Sequence, residues 1–371
     1  MASTIPSSTL DAWVDAHFDE QVALLRRLVA VPTDTPPGDN APHAETVATL
    51  LESWGWEVER HRVPDEEAQA YGMRSITNLV VRRRYGEGGP VLALNAHGDV
   101  VPPGEGWTRD PYGGEVVDGR LYGRASAVSK SDFTTYLHAV RALEACGAPL
   151  KGGVELHFTY DEEFGGLKGP GWLLGHGLTK PDYAVCASFS HAVVTAHNGC
   201  LQFEITVNGR ATHGSAPQTG HDALRAASRV LDEIYRQADA LDGIASRIDG
   251  ITHPTMIVGR IDGGTHTNVV PGKVVLKIDR RLIPEEDPAV VEANVRAFID
   301  AAVAGLPGIS VEVRRILLAR ALRPLPGHEK LVASLRRHAR TVFGEDIPAV
   351  GTPLYRSEEH TSELQSLRHT S

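Results

Sequence analysis

Near His197 the spacing of apolar residues changes period, and that switch constrains the fold more than any other feature of the chain. Before it, the apolar runs 78–82 and 91–96 are bounded by Gly and Pro, and a shorter run spans 183–187. Runs of this kind predict buried strands, typical of a parallel sheet covered by helices. Val154, Leu156, Phe158 and Tyr160 alternate with Glu155, His157 and Thr159 and predict one more strand. Helical spacing separates these runs. It covers 10–31 (Trp13, Phe18, Val22, Leu25, Leu28), 45–54 and 133–145, with a Pro-rich loop over 32–42. Strands alternating with helices predict an α/β sheet.

After His197, Leu201, Phe203, Ile205 and Val207 alternate with Gln202, Glu204, Thr206 and Asn208. That is a strand with one wet face. A helix follows, with Leu224, Ala227, Leu231 and Ile234 on one side. Residues 255–261 and 273–281 predict a hairpin around a Gly-rich turn, 290–304 a second helix and 310–318 a last strand. Strand, helix, strand, strand, helix, strand is the split ferredoxin-like order. The expected layout is a first domain over 1–196, an inserted small domain over 197–317, and a return to the first domain over 318–355. Residues 356–366 resemble the translation of a short-read sequencing adapter. The segment 356–371 is therefore set aside from fold reasoning, and the natural chain is expected to continue past Tyr355.

A chain of 371 residues, 42% of them hydrophobic, can bury a sizeable core and reads as two domains rather than one. A net charge of -10 with no basic block argues against nucleic acid or an anionic membrane as partner. No apolar run is long enough to span a bilayer. The first ten residues lack the charged-then-apolar order of a signal peptide. Three cysteines (Cys146, Cys186, Cys200) form neither a disulfide framework nor a C-x-x-C pair, so the expected compartment is a reducing cytoplasm.

Two motifs carry chemistry. His97-Gly98-Asp99 ends one apolar strand, and Asp161-Glu162-Glu163, followed by Gly165-Gly166, ends another. Ligands of open α/β sheets gather at the carboxyl ends of strands. Asp99 lies two residues beyond His97, so its side chain returns to the same side and can hold the imidazole tautomer. Glu162 and Glu163 point to different sides, so one can bind a metal while the other polarises water. Taken alone, the first motif fits a satisfied core histidine and the second a solvated acidic turn.

Residues 94–124, with Trp107-Thr108-Arg109-Asp110-Pro111-Tyr112 and Gly119-Arg120-Leu121-Tyr122-Gly123-Arg124, and residues 160–166 resemble peptidase family M20. That family includes acetylornithine deacetylase, succinyl-diaminopimelate desuccinylase, aminoacylase and carboxypeptidase G. The resemblance runs over nearly the whole chain to Tyr355. It implies an α/β zinc-peptidase-like catalytic domain carrying an inserted ferredoxin-like dimerisation domain, and a dinuclear zinc (or cobalt) hydrolase of amide bonds working as a homodimer on a small-molecule substrate. Carried over, His97 and Glu163 are metal ligands, Asp99 supports His97, and Glu162 is the general base. His213, in Asn208-Gly209-Arg210-Ala211-Thr212-His213-Gly214, reaches an active site from the inserted domain. Asn268 and Arg281 hold substrate, Arg281 by its carboxylate. Strand phase agrees for Arg281, which shares a face with Lys273, Val275, Lys277 and Asp279, opposite Leu276 and Ile278.

The chain departs from the family pattern at two ligand positions. Val128 stands where the family has a metal-bridging Asp, and Ala187 where it has a metal-binding Glu or Asp. The family's last His ligand falls beyond Tyr355. Asp132, one helical turn past Val128, and His191 are candidate replacements. Otherwise Asp132 caps or solvates its helix and His191 lies in a loop. Two functions stay open: a metal-dependent amidohydrolase of small N-acyl amino acids or dipeptides, and a pseudoenzyme that binds a ligand without cleaving it.

Overall fold

The computed structural model describes residues 6–187 and 190–353, and the chain divides into two compact units, Met1–Phe189 and Ser190–Ser371. The adapter-like tail and Tyr355 lie outside the described residues.

In the first unit, five strands form one mixed sheet. Across it the order is Glu59–Arg62, Thr77–Gly86, Gly152–Thr159, Val91–His97 and Tyr183–Cys186. Val91–His97 runs parallel to both of its neighbours. The run at 78–82 is a strand but not a parallel one. Thr77–Gly86 is antiparallel to both Glu59–Arg62 and Gly152–Thr159. Its apolar stretch reports burial, and burial is the same for either direction. The helical span expected over 10–31 is two helices, Ser7–Ala16 and Phe18–Val29, broken at His17. The His17 ring stacks on Trp13 at 3.8 Å and its Nδ1 pairs with the Trp13 carbonyl at 2.7 Å. Helices Ala41–Ser53 and Lys130–Ala145 answer to the other two expected helical spans. Phe133 stacks on Phe158 at 4.1 Å, and Leu51, Leu79, Leu137 and Leu156 close the core around them with no exposure.

The second unit contains the ferredoxin-like sheet. Its strand order is Thr255–Gly263, Lys273–Leu282, Gly199–Asn208, Ser310–Ala319, all antiparallel. Leu201, Phe203, Ile205 and Val207 are fully buried, as the alternation predicts. Helices Ala223–Leu241 and Pro288–Val303 fill the expected places. The first buries Ala223, Ala226, Ala227, Val230 and Ile234, while Leu224 is exposed and Leu231 half-buried. The buried stripe is therefore rotated toward small residues, which allow a closer approach of helix to strand. Asp222 caps this helix, accepting from the Leu224 and Arg225 amides at 2.9 and 3.0 Å. In the same unit, Ala349–Thr352 runs parallel to Val193–His197, after the helix His328–Phe343.

Candidate metal centre

The two sequence motifs meet at the carboxyl edge of the first sheet. His97 is the last residue of its strand and is level with Thr159 on the neighbouring parallel strand. The Gly98 amide donates to the Thr159 carbonyl at 2.9 Å and keeps the two ends together. Past Thr159 the chain turns into a short 3₁₀ segment, Glu162–Phe164. Gly165 and Gly166 sit at φ 100° and 78°, a region that favours glycine. Their amides return to the carbonyls of Glu162 and Asp161, both at 3.0 Å. The Asp-Glu-Glu-Phe-Gly-Gly string is thus a tight turn that presents its carboxylates beside His97.

Gly98 is required by contact. A Cβ there would meet Tyr160 Cε1 at 2.4 Å. Tyr160 is fully buried and its hydroxyl pairs with His43 Nδ1 at 2.9 Å.

His97 and Asp99 are both buried. His97 Nδ1 is 2.9 Å from the Asp99 backbone carbonyl and 3.6 Å from its Oδ1. The nearer partner of the imidazole is therefore the peptide oxygen. The Asp99 carboxylate spends Oδ2 on the Glu163 amide at 3.0 Å. One acid so orients both the imidazole and the turn that carries Glu163. His97 Nε2 faces Glu162, with Oε2 at 3.9 Å. Ligand atoms of His97, Glu162 and Glu163 all lie within 4.8 Å of one another.

The site is strongly negative. Burial alone would lower the His97 pKa, but the charge of Glu162, the hydrogen bond to Asp99 and the charges of Asp99 and Glu163 outweigh it and carry it up to about 10. Burial, with the Asp99 charge second, pushes Asp161 up to about 7. Such a field favours a bound cation. Three donors of types that bind divalent ions converge there, and Asp99 Oδ1 is buried beside them, 3.6 Å from His97 Nδ1. The donor set fits one metal ion.

Val128 and Ala187, expected from the resemblance to stand at ligand positions, are not in this group. Ala187 extends the pairing of Tyr183–Cys186 with Val91–His97, its amide donating to the Asn95 carbonyl at 3.0 Å. Val128 is half-buried just before the helix Lys130–Ala145. Asp132, in the first turn of that helix, accepts from the Ser129 hydroxyl at 3.1 Å and is not in the ligand group. His191, in the second unit, is exposed, 3.0 Å from Glu345 Oε1 and against the Phe343 ring.

Three further sequence-derived residues belong to the second unit. His213 and Asn268 are brought together there, Nε2 to Nδ2 at 3.4 Å, beside the short ladder of Thr212–His213 with Val269–Val270. His213 Nδ1 pairs with the Ser215 hydroxyl at 2.8 Å. Arg281 donates through Nε to Asp279 Oδ1 at 2.7 Å. Asp279 Oδ2 accepts in turn from Gln202 Nε2 at 2.9 Å and Cys200 Sγ at 3.3 Å.

Lys130 carries no weight in the sequence, yet it is fully buried with Nζ donating to the Val31 carbonyl at 2.7 Å. Burial lowers its pKa to about 7 against the opposing charges of Asp34 and Asp99. Its only sequence signal is a lysine at the start of a helix that is otherwise buried on one side.

Residues 195–305 match the family model described as a peptidase dimerisation domain. The chain is 29% identical over 229 residues to succinyl-diaminopimelate desuccinylase of Anaplasma marginale, covering 59% of this chain and 56% of that protein. It is 31% identical over 217 residues to acetylornithine deacetylase of Myxococcus xanthus, covering 58% and 54%. The chain therefore spans little more than half the length of these curated relatives. Among solved structures, an M20 family metallo-carboxypeptidase from Sulfolobus solfataricus superposes with a TM-score of 0.73 at 16% identity, covering 94% of this chain and 90% of that one. The fold is an α/β one shared with M20 peptidases of known structure, with an inserted domain that matches the peptidase dimerisation model. The chain is similar to M20 family peptidases, in residues 195–305 to their dimerisation domain and over most of its length in fold.

Proposed function

We propose that this protein hydrolyses the amide bond of small N-acyl amino acids or dipeptides with the help of a bound metal ion, zinc or cobalt. The observation that carries the proposal is the convergence of His97, Glu162 and Glu163 within 4.8 Å at the carboxyl edge of the sheet. His97, through Nε2, and Glu163 would hold the ion. When bound, the ion would polarise the amide carbonyl and make the attacking water more acidic. Glu162, beside both ligands, takes the proton from that water and passes it to the departing amine. Asp99 fixes the imidazole through its carbonyl and the Glu163 turn through its carboxylate. His213 and Asn268 are assigned to the developing oxyanion and the substrate, and Arg281 to the substrate carboxylate. The protein is proposed to act in the cytoplasm as a homodimer paired through the ferredoxin-like domain.

Val128 and Ala187 favour a second reading, a homologue that binds such ligands without cleaving them. The test is turnover of a panel of N-acetyl and N-succinyl amino acids and dipeptides with zinc or cobalt supplied. Glu162→Gln keeps the size and removes the base. It should lower turnover by roughly a hundred- to ten-thousand-fold while the fold is kept. A Glu162→Gln protein with full activity refutes the mechanism. A wild-type protein inactive on the whole panel transfers the assignment to the non-hydrolytic homologue.

A further inference from the structure

We infer that this site is built for one divalent ion rather than two. The inference rests on the metal-dependent reading above, but what it specifies is a count of bound ions, which is measured without turnover.

A pair of ions needs protein donors for each of them. A zinc site that acts catalytically normally draws on three protein ligands. The hydrocarbon side chains of Val128 and Ala187 offer none. The Ala187 position is tightly defined. The parallel register sets Cys186 opposite Asn95, so Ala187 lies alongside Ala96, at the same sheet edge as His97. The residue present is a buried methyl group packed in the core with Ala96, and it offers no donor. Neither candidate replacement supplies the loss. Asp132 is engaged with the Ser129 hydroxyl in the first turn of its helix, and His191 with Glu345. Among the described residues, one group of ligand-type side chains satisfies the spacing for an ion.

The orientation of that group points to one side. His97 Nδ1 is occupied by the Asp99 carbonyl, which leaves Nε2 as the ligand atom, directed at the Glu162 carboxylate. Glu163 is set by its amide on Asp99. Three carboxylates, from Asp99, Glu162 and Glu163, surround one imidazole, and a single divalent charge answers most of that excess. With His97 and Glu163 as the protein ligands and Glu162 kept for the water, the ion is held loosely and exchanges on dialysis.

The experiment is a titration of the dialysed full chain with cobalt(II), read as bound cobalt per chain by elemental analysis and by its visible absorption. The expected plateau is one ion per chain. His97→Ala and Glu163→Gln should each abolish it, with circular dichroism confirming the fold, and Glu162→Gln should retain it. A plateau of two ions, no binding at all, or one ion that survives both ligand substitutions overturns the inference. The hydrolase proposal fails separately. One bound ion with no cleavage of any amide would sink that proposal and leave the ion count standing, whereas two bound ions with cleavage would do the reverse.

Discussion

Glu155→Gln should destabilise the first unit in a way that depends on pH with a definite sign. Glu155 lies on the strand whose end delivers Asp161, Glu162 and Glu163, so its environment bears on how firmly that end is held. The residue is 2% exposed. Its Oε2 accepts from the Thr179 hydroxyl at 2.5 Å and lies 3.1 Å from His157 Nε2. Its Oε1 pairs with Arg82 and, at 3.1 Å, with Arg84 Nη2. Burial would raise the carboxyl pKa, but the His157 and Thr179 hydrogen bonds and the Arg82 charge outweigh it and hold it at about 2 against an ordinary 4.5. Each tenfold change in proton affinity is worth about 1.4 kcal/mol, so the ionised form contributes about 3 kcal/mol. Because the folded pKa is the lower one, this contribution is complete above the unfolded value of 4.5. It is lost as pH falls through about 2. Glutamine keeps the shape and removes the charge. The variant should be less stable than wild type by about 3 kcal/mol at neutral pH, and the two should converge between pH 4.5 and 2. All five tryptophans (Trp13, Trp54, Trp56, Trp107, Trp172) belong to the first unit, so their fluorescence in urea reports its unfolding alone. A stability difference that stays constant from neutral pH down to 2, or no difference at neutral pH, would refute the reasoning.

Gly98→Ala should force Tyr160 away from a contact of 2.4 Å and break its pairing with His43. A cost of about 1–3 kcal/mol is expected in the same tryptophan-monitored unfolding, and an unchanged midpoint would contradict it. Phe133→Ala removes a fully buried ring stacked on Phe158 and should cost about 3–5 kcal/mol by that assay. Asp222→Ala removes the side-chain cap of the helix Ala223–Leu241. It should lower the stability of the second unit by about 1 kcal/mol, followed by circular dichroism, with Asp222→Asn recovering most of the loss.

The periodic elements of this chain were legible because their signals are local. Alternation at Leu201–Val207 predicts which face of that strand is buried, and the same two-residue period places Arg281 opposite Leu276 and Ile278, as the structure has it. The site motifs were legible for the same reason, since each is a short string at a strand end. Strand direction was not legible. The apolar run of Thr77–Gly86 is equally buried whichever way it runs, and only its pairing makes it antiparallel. The rotation of the helix Ala223–Leu241 was also hidden, because Leu224 and Ala223 compete for the interior and closeness of packing settles it for the smaller residue. At the candidate metal centre, sequence named His97, Asp99, Glu162 and Glu163, but only tertiary structure gave Asp99 two tasks, one through its carbonyl and one through its carboxylate. It alone also buried Lys130 against the Val31 carbonyl. Residue type and spacing determine what a side chain can do, because they act along the chain. What it does is decided by partners far apart in sequence, whose distances and charges exist only once the sheet has formed.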